Sequence, residues 1–91
     1  MKQFLVEVFV PRSRADELAA ARERVRAAVA GASRNDRDIR YVRAIYIPED
    51  ETCFYVFDAS SADLVAEVSG LAGLQDGRVV EMVGETKGER K

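Results

Sequence analysis

Apolar residues follow two different spacings along this chain, and segments with the two spacings alternate. Residues 3–10 (QFLVEVFV) are rich in β-branched and aromatic side chains and end at a proline, which is typical of a β-strand. Similar short runs occupy residues 39–47 (IRYVRAIYI), 52–58 (TCFYVFD) and 78–83 (RVVEMV). The pattern therefore predicts four strands, with the second and third joined by the turn PEDE at 48–51.

The first helical segment follows the first strand. Ser13 with Asp16 three residues later resembles a capping box, and Gly31 predicts the end of the helix. Between them the apolar residues recur every three or four positions and charged residues separate them, as in an amphipathic helix. These apolar positions are Leu18, Ala21, Val25, Ala28 and Ala32.

A second helical segment lies between the third and fourth strands. Its apolar face is formed by Leu64, Val68 and Leu71. We expect Ser60, with Asp63, to cap its start, and the glycines at 70 and 73 to close its end.

The resulting order is β-α-β-β-α-β, which predicts an α+β, ferredoxin-like fold: a four-stranded antiparallel sheet with two helices. Right-handed crossovers place both helices on one face of the sheet and leave the other face bare. We expect a single domain over residues 1–84 and a flexible charged tail at 85–91.

The bare sheet face predicts a homodimer. A chain of 91 residues buries only about 60–65% of the surface that its unfolded form exposes. A large apolar patch left in water is also unusual for a monomer. Residues 1–48 carry a net charge of +4 and residues 49–91 carry −6, so unlike patches of two copies can meet across a two-fold axis.

Strand alternation suggests which polar residues lie on the bare face. In the first strand Phe4, Val6 and Val8 form an apolar set, which leaves Glu7 on the other side. In the last strand the same reasoning turns Val80 inward and Glu81 outward. Because the first and last strands of this fold are neighbours, Glu7 and Glu81 are expected close together, where two carboxylates raise one pKa or hold a cation.

The third strand is divided in the same way. The set that contains Cys53, Tyr55 and Phe57 has two residues with polar groups, which favours it for the bare face. In the second strand, the position of Arg43 depends on the turn. A four-residue turn puts it on the face of Phe54 and Val56, whereas a five-residue turn or a bulge puts it with Tyr55. The second arrangement gives a candidate ligand-binding site made of Glu7, Arg43, Cys53, Tyr55 and Glu81.

Three stretches of the chain resemble a family of small bacterial ferredoxin-like domains of unknown function that includes a dimeric nickel-binding protein. They are FLVEVFVPRSRADEL (4–18), IRYVRAIYIPEDETCFYVFDASSADLV (39–65) and GRVVEMV (77–83). The shared motifs are a strand that holds a glutamate and ends at a proline, and a third strand of the type TCFYVF. The resemblance spans about residues 3–83 and implies the fold, a homodimer and a ligand site at the sheet.

The chain departs from that family in having no histidine. Nickel-binding members carry one near the position of Arg43, and arginine stays protonated and does not ligate metals. We therefore predict no nickel site, no other metal centre and no cofactor. A weak divalent-metal site from Glu7, Glu81 and Cys53 is an alternative.

Our main functional hypothesis is a ligand-binding or accessory protein that holds a small, partly apolar molecule on the bare face. Leu5, Phe9, Tyr55 and Phe57 would supply apolar contacts, and Arg43 or Glu7 would fix a polar group. The alternative is a cofactor-independent isomerase, cyclase or monooxygenase that uses a buried glutamate as its base, with Tyr55 and Arg43 assisting.

Several other functions are disfavoured. Without histidine there is no Ser-His-Asp or Cys-His arrangement. The third strand lacks the basic and glycine positions of an RNA-recognition strand, so we expect no nucleic acid partner. No apolar run approaches the roughly 20 residues of a membrane span, and the N-terminus does not resemble a signal peptide. With a single cysteine we expect a cytoplasmic protein.

Overall fold

The computed structural model describes residues 1–84 and has the predicted order of elements. All strand pairs are antiparallel, and the sheet order is β2-β3-β1-β4. The predicted tail at 85–91 lies outside the described residues. The strands are β1 (Lys2–Phe9), β2 (Ile39–Ile47), β3 (Thr52–Ala59) and β4 (Arg78–Met82), and the helices are α1 (Leu18–Arg34) and α2 (Ala62–Leu71). This is the α+β, ferredoxin-like architecture.

The core lies between the two helices and one face of the sheet, which we call the covered face. The central strands β1 and β3 contribute Phe4, Val6 and Phe57, and the helices contribute Val25 and Val65. These five side chains are almost fully buried. Burial of each such side chain contributes about 1.5–3 kcal/mol to the free energy of unfolding. The covered face therefore supplies most of the stability of the fold.

Helix α1 differs from the prediction at both ends. After Pro11 the chain first forms a 3-10 segment (Arg12–Glu17), and no side chain caps it, so the predicted cap by Ser13 is wrong. The helix also continues through Gly31 to Arg34. It continues because Ala28 and Ala32 still pack against the core on either side of the glycine, and tertiary packing outweighs the low helix propensity of one glycine.

Helix α2 is capped one residue later than predicted. Ser61, not Ser60, is the N-cap, and its Oγ accepts a hydrogen bond of 3.2 Å from the backbone N–H of Leu64. At the other end Gly73 has φ of +88°, its N–H donates to the carbonyl of Gly70, and the next N–H donates to the carbonyl of Ser69. This is a Schellman ending, which requires the left-handed backbone that glycine adopts freely.

The acidic turn between β2 and β3 is partly structural. Pro48–Asp50 forms a 3-10 turn, after which Glu51 adopts a left-handed backbone. The Glu51 carboxylate accepts a 2.8 Å hydrogen bond from the backbone N–H of Arg12, and its carbonyl accepts one of 2.7 Å from Val10. The turn thus fixes the point where β1 leaves the sheet. In residues 1–84, no helix has both the length and the apolarity needed to cross a bilayer.

Candidate functional site

The second face of the sheet, which we call the open face, carries no helix. Directly opposed residues of antiparallel strands share a face, and Leu5 lies opposite both Val56 and Val80. The same pairing links Ile45 to Phe54. The open face therefore includes Gln3, Leu5, Glu7, Arg43, Ile45, Phe54, Val56, Val80 and Met82.

The four-residue turn at 48–51 decides the position of Arg43, because the register that starts with Ile47 opposite Thr52 continues unbroken to Arg43, and a bulge follows only beyond it. The pairing shifts from Tyr41 opposite Phe57 to Arg43 opposite Val56, which leaves Val42 as an extra residue. Tyr41 faces the helices, since the guanidinium carbon of Arg26 lies 5.7 Å from its ring centroid. Arg43 consequently shares a face with Phe54 and Val56, which is the first of the two arrangements left open by the sequence.

The predicted placement of Cys53 and Tyr55 on the open face is wrong. They pair with Val8 and Val6, so they point toward the helices, and each is only 1% exposed. Phe57 is buried on the same side. Polarity misled the prediction because a cysteine packs as a small hydrophobic residue and a tyrosine ring can be buried whole.

The expected closeness of Glu7 and Glu81 is also wrong. Glu81 lies opposite Phe4 on the covered face, whereas Glu7 lies opposite Arg78 on the open face. Because β4 is an edge strand, Glu81 still reaches water, and its carboxylate lies 3.9 Å from the ammonium of Lys2. The inward residue of β4 is Val79, which packs against the core.

The open face holds a broad, shallow concavity of about 620 Å³. Val42 and Ile45 are 44% and 37% exposed there. Two polar side chains, Gln3 and Arg43, interrupt an otherwise apolar lining. Apolar surface with a few polar anchors is the usual composition of a small-molecule site. The lining residues are Gln3, Leu5, Val42, Arg43, Ile45, Phe54, Val56 and Met82.

An ion pair between a largely buried aspartate and an exposed arginine lies at one corner of the open face. The Asp58 carboxylate lies 2.6 Å from Nη2 of Arg40, and its side chain is 12% exposed against 70% for the arginine. The hydrogen bond from Arg40 lowers the pKa of Asp58 below its usual value. Asp58 follows Phe54 and Val56 in the same alternation, a signal that sequence reasoning missed. Arg43, by contrast, has no carboxylate within 4.0 Å in the described part of the chain.

The residues proposed for a weak metal site do not converge. Cys53 and Glu81 lie on the covered side of the sheet and Glu7 on the open side. Burial raises the pKa of the Cys53 thiol, which disfavours the thiolate that binds metals. Within residues 1–84, no three His, Cys, Asp or Glu side chains are grouped closely enough to hold a metal ion.

The residues of the enzyme hypothesis do not converge either, because they lie on opposite faces of the sheet. It needs a carboxylate base, a tyrosine donor and an arginine around one substrate atom. Glu7 and Arg43 are on the open face, but Tyr55 is behind the sheet. Of the five predicted site residues, the structure therefore places only Glu7 and Arg43 on the open face, and only Arg43 lines the concavity.

The fold has a counterpart among solved structures. The crystal structure of SCO4226 from Streptomyces coelicolor A3(2) superposes with a TM-score of 0.67 at 19% sequence identity, covering 88% of this chain and 94% of that chain. No family model matches the chain, and no curated protein matches it. The resemblance to a family with a nickel-binding member stays a prediction, and the likeness to SCO4226 shows a shared fold.

Proposed function

We propose that this chain is a small ligand-binding or accessory domain that dimerises through its open face and encloses a small, partly apolar molecule there. The observation that carries the proposal is the apolar concavity of about 620 Å³ on a sheet face without helices. A cytoplasmic location belongs to the same proposal, as expected for a chain with one cysteine.

Dimerisation removes exposed apolar surface that a monomer leaves in water. Val42, Ile45 and Phe54 line the same concavity on this face, and apolar patches of this kind mark interaction sites. Pairing through the edge of β2 is less favourable, because the bulge at Val42 disturbs its hydrogen-bonding edge. Packing of one open face on another therefore explains the surface better than addition of a strand.

A ligand between the two faces would meet apolar walls and one cation from each protomer. Arg43 lines the concavity and has no ion-pair partner among residues 1–84. A guanidinium enclosed by apolar surface favours an anion, and its planar donors fit a carboxylate. The chemistry of the concavity therefore selects an apolar molecule with a carboxylate or a similar anionic group.

Light scattering of the purified chain tests the dimer. We expect a dimer for the wild type and a monomer for Ile45→Arg, because the substitution puts a charge in the centre of the interface. Leu71→Arg is the matched control, since Leu71 is 75% exposed on α2, away from the open face, and it should stay dimeric. A wild-type monomer, or a dimeric Ile45→Arg, would contradict the proposal.

Native mass spectrometry tests the ligand separately. The chain purified without a tag is expected to show a dimer heavier than two chains by the mass of a small organic molecule. Arg43→Gln should lose that added mass and Arg78→Gln should keep it, because Arg78 lies on the open face outside the concavity. A dimer with no added mass would contradict the ligand-binding proposal and would still be consistent with an accessory role.

A further inference from the structure

A second cavity lies on the covered side of the sheet, where β1 ends and the first helical turns begin. Its smaller part measures about 110 Å³, and this part adjoins a groove of about 340 Å³. The two share Val8, Phe9, Arg14, Gly73 and Leu74. Because the sheet separates it from the open face, it does not depend on the proposed dimer.

The cavity exists because β1 is longer than its neighbour β4. Pairing between them ends at Glu7 opposite Arg78, so Val8 and Phe9 extend beyond it. Gly77 brings the α2–β4 loop so close to β1 that a Cβ there would collide with Val6. Past that contact the loop diverges from β1 and leaves space between β1, the start of α1 and Leu74.

Tyr55 lies at the inner end of this cavity. It is 1% exposed and lines the smaller part. The polar side chain beside its hydroxyl is the thiol of Cys53, which is a weak hydrogen-bond acceptor. Burial raises the pKa of Tyr55, so the phenol keeps its proton and can donate it to a bound acceptor.

Arg24 supplies a positively charged group in the same cavity. Its Nε donates a 3.0 Å hydrogen bond to the carbonyl of Ala72, which fixes the guanidinium at the end of α2 and leaves its two terminal nitrogens available. No carboxylate lies within 4.0 Å of it in residues 1–84. The neighbouring Arg14 is instead paired with Glu17 at 3.2 Å.

The backbone of Phe9 adds a further donor at the mouth of the cavity. The N–H of Val10 bonds to Glu51 in the β2–β3 turn, and bonding directions alternate along an antiparallel strand. The N–H of Phe9 therefore points to the β4 side, beyond the last paired residue of that strand.

We propose that this cavity binds a short amphipathic monocarboxylate, with the carboxylate on Arg24 and the Tyr55 hydroxyl and the hydrocarbon against Val8, Leu18 and Leu74. One water occupies about 30 Å³, so the smaller part holds a few heavy atoms and the groove takes the rest. The carboxylates of Glu17 and Asp76 line the cavity and the groove, and they disfavour a doubly charged anion such as phosphate.

Hexanoate is a suitable probe, with hexanol and hexylamine as matched neutral and cationic molecules. We expect hexanoate to shift the amide resonances of Phe9, Gly73 and Leu74 in a ¹⁵N-labelled chain, with a Kd in the millimolar range for so small a ligand. A response of the Arg43 and Ile45 amides would belong to the open-face site, so the Kd is taken from Phe9, Gly73 and Leu74 alone. Binding of hexanol as tight as that of hexanoate, or shifts confined to the open face, would overturn the proposal.

Two substitutions locate the carboxylate. Tyr55→Phe keeps the ring and removes the hydroxyl, and it should weaken hexanoate about tenfold, as loss of a hydrogen bond to a charged group does. Arg24→Gln should weaken it at least as much, whereas Arg43→Gln should leave the Kd unchanged. An unchanged Kd in Tyr55→Phe or in Arg24→Gln would contradict the assignment, and the amide spectrum of each variant reports whether it has folded.

Discussion

The two faces of the sheet are built from the same strands but differ in what covers them. On the covered face Phe4, Val6 and Phe57 are sealed under the helices. On the open face Val42 and Ile45 keep more than a third of their surface in water. Both faces are apolar, so hydrophobicity does not separate the core from the candidate site, and only the position of the helices does.

We expect the stability cost of truncation to differ widely between two phenylalanines of β3. Phe57→Ala should lower the free energy of unfolding by about 3–5 kcal/mol, because it opens a cavity in a closed core. Phe54→Ala should cost less than about 1.5 kcal/mol when both are made in the Ile45→Arg background, where the open face is solvated. Urea unfolding measures both values, and equal costs would show that the two faces are packed alike.

The next largest effect on stability is expected where the α2–β4 loop contacts β1. Gly77→Ala should destabilise the chain by about 1–3 kcal/mol, because the added methyl group collides with Val6 and the loop has to move. Gly70→Ala is the matched control, since a Cβ there meets nothing within 4 Å, and it should stabilise α2 by about 0.5–1 kcal/mol. Destabilisation by both substitutions to the same extent would contradict this account of the loop.

The ion pair at the corner of the open face predicts a modest pH dependence. Arg40 lowers the pKa of Asp58 in the folded state. The ionised Asp58 therefore stabilises the fold at pH values above its unfolded pKa of about 3.9. This contribution is lost as the pH falls through the lower pKa of the folded state. The contribution should be about 1 kcal/mol at neutral pH, since Arg40 is mostly exposed.

Thermal unfolding of Asp58→Asn beside the wild type measures this contribution. The difference between the two should be present at pH 6 to 7 and should shrink steadily as the pH falls below about 4. A difference that stays constant down to pH 2 would show that the carboxylate charge is not responsible.

The smallest effect on stability is expected for an ion pair on the outer side of the helices. Arg37 and Glu67 form a two-pronged pair with hydrogen bonds of 3.0 and 3.1 Å, but both side chains are well exposed. Exposed pairs contribute little because solvent screens them. Glu67→Gln should leave the urea midpoint unchanged within error, and a clear decrease would mean that this helical surface is less solvated than the structure indicates.

The sequence allowed the element order to be predicted because strand and helix spacings are local signals. It also placed Glu7 correctly, since Phe4, Val6 and Val8 form an unambiguous apolar set. Edge strand β4 is short and has apolar residues on both faces, so a one-residue error in phase moved Glu81 to the wrong side.

Strand β3 could not be assigned from its own residues. All four of Cys53, Phe54, Tyr55 and Val56 can be buried, and only the pairing with β1 decides which two meet the helices. The bulge at Val42 has no local signature either. Asp58 was predictable in principle, because it continues the alternation of Phe54 and Val56.

The proposed dimer requires that the open face is covered in solution. The most direct test is the relaxation enhancement that a soluble paramagnetic agent causes at methyl groups of Val42 and Ile45, with Leu71 as the exposed reference. For a covered face we expect enhancements close to those of buried Val25. Values at roughly half that of Leu71, as exposures of 44% and 37% against 75% give for an isolated chain, would contradict it.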